Sequence, residues 1–149
     1  MTPFPKIKLE FGVPLHGWLP TRFSFEGFVL DLEISDVPLD PMVQLCNALI
    51  QINKGIRNPE RIIWHLEPFI YYFQLEKYGE VYKAIISESD DFEGPARLTK
   101  TIVGNFESIV LPLFRALKRF WSYSYQSPHW EELDAERIEV LTDLMKRRN

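Results

Sequence analysis

The chain has 149 residues, 46% of them hydrophobic and 14% aromatic, with 17 Lys and Arg against 21 Asp and Glu. That length suits a single domain able to bury roughly 68–70% of its accessible surface, which argues against a disordered chain. The formal net charge of -4 argues against the basic face of a nucleic-acid binder; the single cysteine, Cys46, excludes an internal disulfide and a thiolate-rich zinc site.

The N-terminus, MTPFPKIKLEF, lacks the ordered basic, apolar and cleavable regions of a secretory signal, and no apolar run approaches the ~20 residues of a membrane span. The expected location is therefore cytoplasmic, without membrane or nucleic acid as partner. KIKLEF alternates, placing Ile7, Leu9 and Phe11 on one face of a strand. VPLHGWLP, bracketed by Pro14 and Pro20, reads as a loop. RFSFEGFVLDLEIS reads as a hairpin turning at Glu26-Gly27, with Phe23, Phe25, Phe28, Leu30, Leu32 and Ile34 inward and Val29, Asp31 and Glu33 outward.

DVPLDPMVQLCNALIQINKG carries the clearest helix signal. Asp40 suits the N-cap, Pro41 the first turn and Gly55 the C′ position, while Met42, Leu45, Cys46, Leu49 and Ile52 form one stripe. Cys46 on that stripe reads as a buried, inert thiol. IIWHLEP then reads as a strand ended by Pro68, with Ile62, Trp64 and Leu66 on one face and Ile63, His65 and Glu67 on the other. FIYYFQLEK and EVYKAIIS flank Tyr78-Gly79 as a second hairpin, and ESDDFEGP is an acidic loop.

A strand is expected near 98–103, then a helix from about Ile109 with Ser108 as N-cap and Pro112 in its first turn. Leu113, Phe114, Leu117, Phe120 and Trp121 make its apolar face. The last helix follows Ser127-Pro128 and uses Trp130, Leu133, the stem of Arg137, Val140, Leu141 and Leu144. The basic end, MKRRN, suits a helix C-terminus. The fold class is thus α+β across residues 1–149: a mostly antiparallel sheet of six to seven strands with three helices largely on one face.

No phosphate-binding glycine loop, dinucleotide fingerprint, His-Glu-x-x-His pair, nucleophile elbow or EF-hand loop occurs. His65 and Glu67 lie two apart on one strand face, their Cα atoms about 6.6 Å apart by the strand rise. A carboxylate there can orient an imidazole and raise its pKa for base catalysis or ligand binding, with His16 as a third member. Such a pair is also common on a wet sheet face without catalysis. The three histidines lack metal-ligand spacing, so neither a metal nor a cofactor is expected. FWSYSYQSPHW gathers Trp121, Tyr123, Tyr125 and Trp130, residue types that dominate protein-binding hot spots and that equally plug the ends of cores. Asp90 and Asp91 belong to the acidic loop, either solvated or steering a basic partner.

HGWLP, the segment SDVPLDPMVQLCNALI, WHLEPFIYYFQLE and FRALKRF together resemble a family of uncharacterised bacterial single-domain proteins, over most of the chain. By analogy that resemblance implies an immunity-protein-like role, acting by binding. The leading expectation is a non-catalytic protein-interaction module with Trp121, Tyr123, Tyr125, Trp130, Asp90 and Asp91 at its partner surface. The alternative is a small enzyme or ligand-binding protein using His65, Glu67 and His16. A homo-oligomer formed through an open sheet face or edge is the third.

Overall fold

The computed structural model describes residues 4–91, 94–123 and 129–148. These residues form strands β1 (Lys8–Phe11), β2 (Trp18–Phe25) and β3 (Phe28–Ser35), helix α1 (Pro41–Asn53), and strands β4 (Ile62–His65), β5 (Ile70–Tyr78), β6 (Val81–Ser89) and β7 (Arg97–Gly104). A π-helical turn, Phe106–Val110, leads into α2 (Leu111–Trp121), and α3 (Ala135–Arg147) follows. The architecture is α+β: one antiparallel sheet of seven strands in chain order, β1 to β7, with three helices. No helix among the described residues is long and apolar enough to cross a membrane.

The hairpins form where the turn chemistry and the alternation agree. β2 and β3 pair along their whole length around Glu26-Gly27. β5 and β6 pair around Gly79-Glu80, one residue later than Tyr78-Gly79, because Gly79 takes the positive φ (63°) that a two-residue turn needs there. HGWLP is not a loop. Leu15 and Trp18 exchange both backbone hydrogen bonds (2.9 and 3.0 Å), and His16 and Gly17 between them both have positive φ, 49° and 81°, so they form a type I′ turn into β2. Pro20 is tolerated inside β2 because its backbone faces β1, where its carbonyl accepts from Gly12 N–H (2.8 Å). Its missing N–H therefore falls at the frayed end of β1.

Asp40 caps α1 as expected, accepting from Met42 N–H at 2.8 Å. The next helix begins earlier than its sequence suggests. Asn105, not Ser108, is the N-cap, and Ser108 returns the bond to the Asn105 N–H in a capping box. A π turn then precedes Pro112, placing the proline at the start of α2, where its absent N–H costs little. α3 starts after the Asp134 cap, so Trp130 and Leu133 lie before the helix. Its buried stripe is Ile138, Leu141 and Met145; Val140 is exposed, and Arg137 reaches out to the Asn47 side chain.

One core collects the inward residues of the strands and of all three helices. Phe23 stacks edge-on against Phe73 at 5.6 Å and approaches Trp64 at 6.4 Å, joining the first and second hairpins beneath α1. The sheet is nevertheless divided. β3 and β4 share a single residue pair, Ser35 with His65. Beyond it Ile63 N–H, which points to the side β3 would occupy, donates instead to Gln44 Oε1 of α1 at 2.9 Å. A buried glutamine thus supplies the acceptor that a continuous ladder would have taken from β3.

Candidate functional site

The divide between β3 and β4 positions the features that face solvent. β4 ends in a tight turn in which Leu66 N–H donates to the Phe69 carbonyl at 2.8 Å. Glu67 and Pro68 form its tip, with a cis bond between them, and a second cis bond joins Val37 to Pro38 in the loop after β3. Glu67 has a φ of 56°, a left-handed value that side-chain-bearing residues adopt only where turn geometry demands it. Glu67 is therefore off the strand, exposed at the turn, and does not continue the His65 face.

His65 is not on a wet sheet face either. It is 5% exposed. On the side of β4 away from the helices, Ile63, Ile70 and Tyr72 form a small second apolar cluster, roofed in part by the Arg61 guanidinium 4.0 Å from the Tyr72 ring. Alternation along β4 alone leaves open whether this face meets water or is covered. The cluster shows why the side chain at 65 is buried.

His65 and Glu67 do meet. Together with Asp91, Val37, Pro38, Pro68 and Ile70 they line a hollow of about 490 Å³. Burial holds the His65 imidazole below its ordinary pKa, opposed by the nearby Glu67 carboxylate. Neither Glu67 nor Asp91 makes an ion pair among the described residues. Exposed Val37, Leu39 and Phe69 stand on the same loops. On the other side of the Leu66–Phe69 turn a cleft of about 350 Å³ is lined by Leu32, Leu66, Phe69, Tyr71, Glu88, Ser89 and Arg97.

No protein-family model, curated protein or solved structure matches the chain.

The other expected site residues are dispersed. His16 sits at the type I′ turn, where its N–H donates to His129 Nδ1 (3.0 Å) and the two rings approach to 4.6 Å. It does not line the hollow of His65 and Glu67. No group of metal-ligating side chains gathers among the described residues. Trp130 is a correction: it is 1% exposed, packed edge-on against Phe120 at 6.1 Å, and belongs to the core rather than to a partner surface. Tyr123 is half-buried and donates its hydroxyl to the Phe11 carbonyl at 2.9 Å. Trp121 remains exposed near the end of α2 with Lys118 Nζ 5.2 Å from its ring centroid, and Tyr125 lies outside the described residues. Asp90 is taken by Arg97 at 3.0 Å, while Asp91 faces the hollow.

Gln44 matters to this region and carries no sequence signal of its role. Gln44 sits within an otherwise apolar helix stripe, and only its burial against the Ile63 N–H marks it. Asp40 was legible as a cap, but not as a carboxyl with its pKa pushed up to about 6. Desolvation drives that rise against the opposing backbone N–H groups of Met42 and Val43. The Trp130 indole N–H also favours the ionised form, at a geometry too poor for a full hydrogen bond.

Proposed function

We propose that the protein is a non-catalytic interaction module that binds a basic segment of another protein at the divided end of its sheet. The observation that carries this reading is the hollow in which Glu67 and Asp91, neither ion-paired among the described residues, lie beside Val37, Pro38, Pro68 and Ile70. Acidic groups over an apolar floor suit Lys and Arg side chains, whose long stems bury while their charged heads stay at the rim. Exposed Val37, Leu39 and Phe69 extend the apolar contact. In the immunity-like form implied by the sequence resemblance, the partner is a basic protein restrained by binding.

Panning a random displayed-peptide library on the immobilised protein tests this. Enrichment of sequences with Lys or Arg beside aliphatic residues is expected, and the Glu67→Lys, Asp91→Lys double variant should lose it. Enrichment of acidic or neutral sequences, or equal recovery on the double variant, rejects the reading.

A second reading is favoured by the convergence of His65 and Glu67 on one hollow: a small cationic ligand held by the carboxylates of Glu67 and Asp91 against the His65 side chain. It predicts that His65→Ala weakens an identified small ligand at least tenfold while leaving peptide recovery unchanged. The first reading predicts the reverse ranking, with peptide recovery governed by Glu67 and Asp91.

A further inference from the structure

The division of the sheet leaves one edge of β3 open, and its backbone polarity can be worked out. Asp36 N–H donates to the Gly17 carbonyl at 3.0 Å, so the even-numbered residues of this segment point their N–H and C=O groups toward β2. Alternation then turns the backbone of Val29, Asp31 and Glu33 the other way, toward the place where β4 pairs only with Ser35. Among the described residues these three have no backbone partner on that side. Their side chains are exposed on the outer face. Leu30 and Leu32 face inward, and Leu32 lines the cleft with Leu66, Phe69 and Tyr71.

We infer that β3 accepts an added antiparallel strand from the partner, and that this strand alternates basic and apolar residues. The inference rests on the interaction reading given above and specifies how the partner is held. An incoming residue opposite Asp31 or Glu33 shares their outer face. Arg22 already binds Asp31 at 2.6 Å, but Glu33 makes no ion pair among the described residues. Lys or Arg at the outer positions is thus favoured by charge, with Glu67 and Asp91 near the same end of the sheet. The intervening residues point into the cleft beside Leu32, Leu66 and Phe69, which favours Val, Ile or Leu. Main-chain bonds to Val29, Asp31 and Glu33 supply affinity, and the alternation supplies specificity.

The geometry also states which amides matter. In an antiparallel addition the residues opposite Asp31 and Glu33 exchange both backbone bonds with them, so the N–H groups of the basic residues point at β3. Those of the apolar residues point away.

The test uses three synthetic peptides on the full chain: capped (Lys-Val)4, the same peptide N-methylated at the lysine amides, and the same peptide N-methylated at the valine amides. Fluorescence anisotropy should show that methylation at lysine weakens binding at least tenfold while methylation at valine changes it by less than threefold. Glu33→Lys should weaken the parent peptide at least tenfold. Equal binding by both methylated peptides overturns strand addition and leaves a charge-based interaction surface standing. Loss only on valine methylation overturns the antiparallel orientation. If the parent peptide fails to bind at millimolar concentration, the inference falls, and the library panning decides separately whether the surface binds basic segments at all.

Discussion

Trp64 and His65 are neighbours in β4, yet they belong to regions built on different terms. Trp64 faces the helices and stands 5.5 Å from Phe73 and 6.4 Å from Phe23, within a core to which the strands and all three helices contribute. His65 faces the other way, over a cluster of three buried apolar residues and at the rim of a hollow with two acids. The covered region is held by many redundant apolar contacts. The divided end depends on a few specific ones: one residue pair between β3 and β4, one glutamine and two tight loops. A surface that must open to a partner is more easily built where pairing is sparse than where every ladder is closed.

The largest expected effect breaks the covered region. Trp130→Ala should destabilise the protein by about 3–5 kcal/mol, because it removes a fully buried aromatic that packs on Phe120. Trp121→Ala, from the same aromatic segment but 37% exposed, should cost less, about 1–2 kcal/mol. Urea denaturation of both variants compares them directly. A similar loss from each would mean that the segment is uniformly part of the core or uniformly outside it.

The next effect belongs to the divide. Gln44→Leu keeps the volume of the helix stripe but leaves the Ile63 N–H buried without its acceptor, and should cost about 1–3 kcal/mol. Amide exchange resolves the cause. Ile63 should lose protection far more than Phe73 opposite Ile62, which lies in the ladder between β4 and β5. Uniform loss across both strands would show that the glutamine acts only through global stability.

The difference between the regions also explains what the sequence reveals. The α+β fold, with a mostly antiparallel sheet of six to seven strands, was legible because hairpin turns and period-two alternation are local, and both point to the same pairing. Asp40, Pro41 and Gly55 announced α1 by chemistry confined to a few residues. The burial of His65 was not legible, because its neighbours on that face, Ile70 and Tyr72, arrive from a different strand. For Trp130 the sequence left two readings, because hot-spot residues and core plugs have the same composition, and its burial selects the plug. Glu67 and Asp91 were both noticed, but for different roles. Their common hollow depends on the Leu66–Phe69 turn and on where β3 stops pairing, neither of which has a local signature.

Proton linkage offers a finer comparison, since titratable groups in the two regions act in opposite directions. Asp40, in the loop that starts α1, has its pKa raised to about 6 by burial. The folded state then binds the proton more tightly than the unfolded chain does. The stability from this group is fully present below about pH 3.9 and is lost as pH rises through about 6. Asp40→Asn keeps a side-chain acceptor for the Met42 N–H and removes the charge. It should therefore gain on the order of 1 kcal/mol over the parent at pH 7.5, and less at pH 4.5. Urea midpoints at the two pH values measure this, and a gain independent of pH would remove Asp40 as the cause.

His65 supplies the smallest and most local effect. Its pKa is lowered, first by burial, with Glu67 pulling it back upward. The folded state therefore holds the proton less tightly than the unfolded chain. The contribution is present above the unfolded value near 6.5 and is lost as pH falls through the folded pKa, the reverse of Asp40. An NMR titration of the His65 ring should place its midpoint below 6.5. Glu67→Gln should move it lower still, because the carboxylate whose charge favours the imidazolium is then gone. An upward or null shift in that variant would mean that Glu67 does not address the imidazole across the hollow. A lysine-bearing peptide bound at Glu67 should act on His65 as the glutamine does, by neutralising the same carboxylate. A downward shift of the His65 midpoint on adding (Lys-Val)4 would thus report occupancy of the hollow itself, independently of any contact along β3.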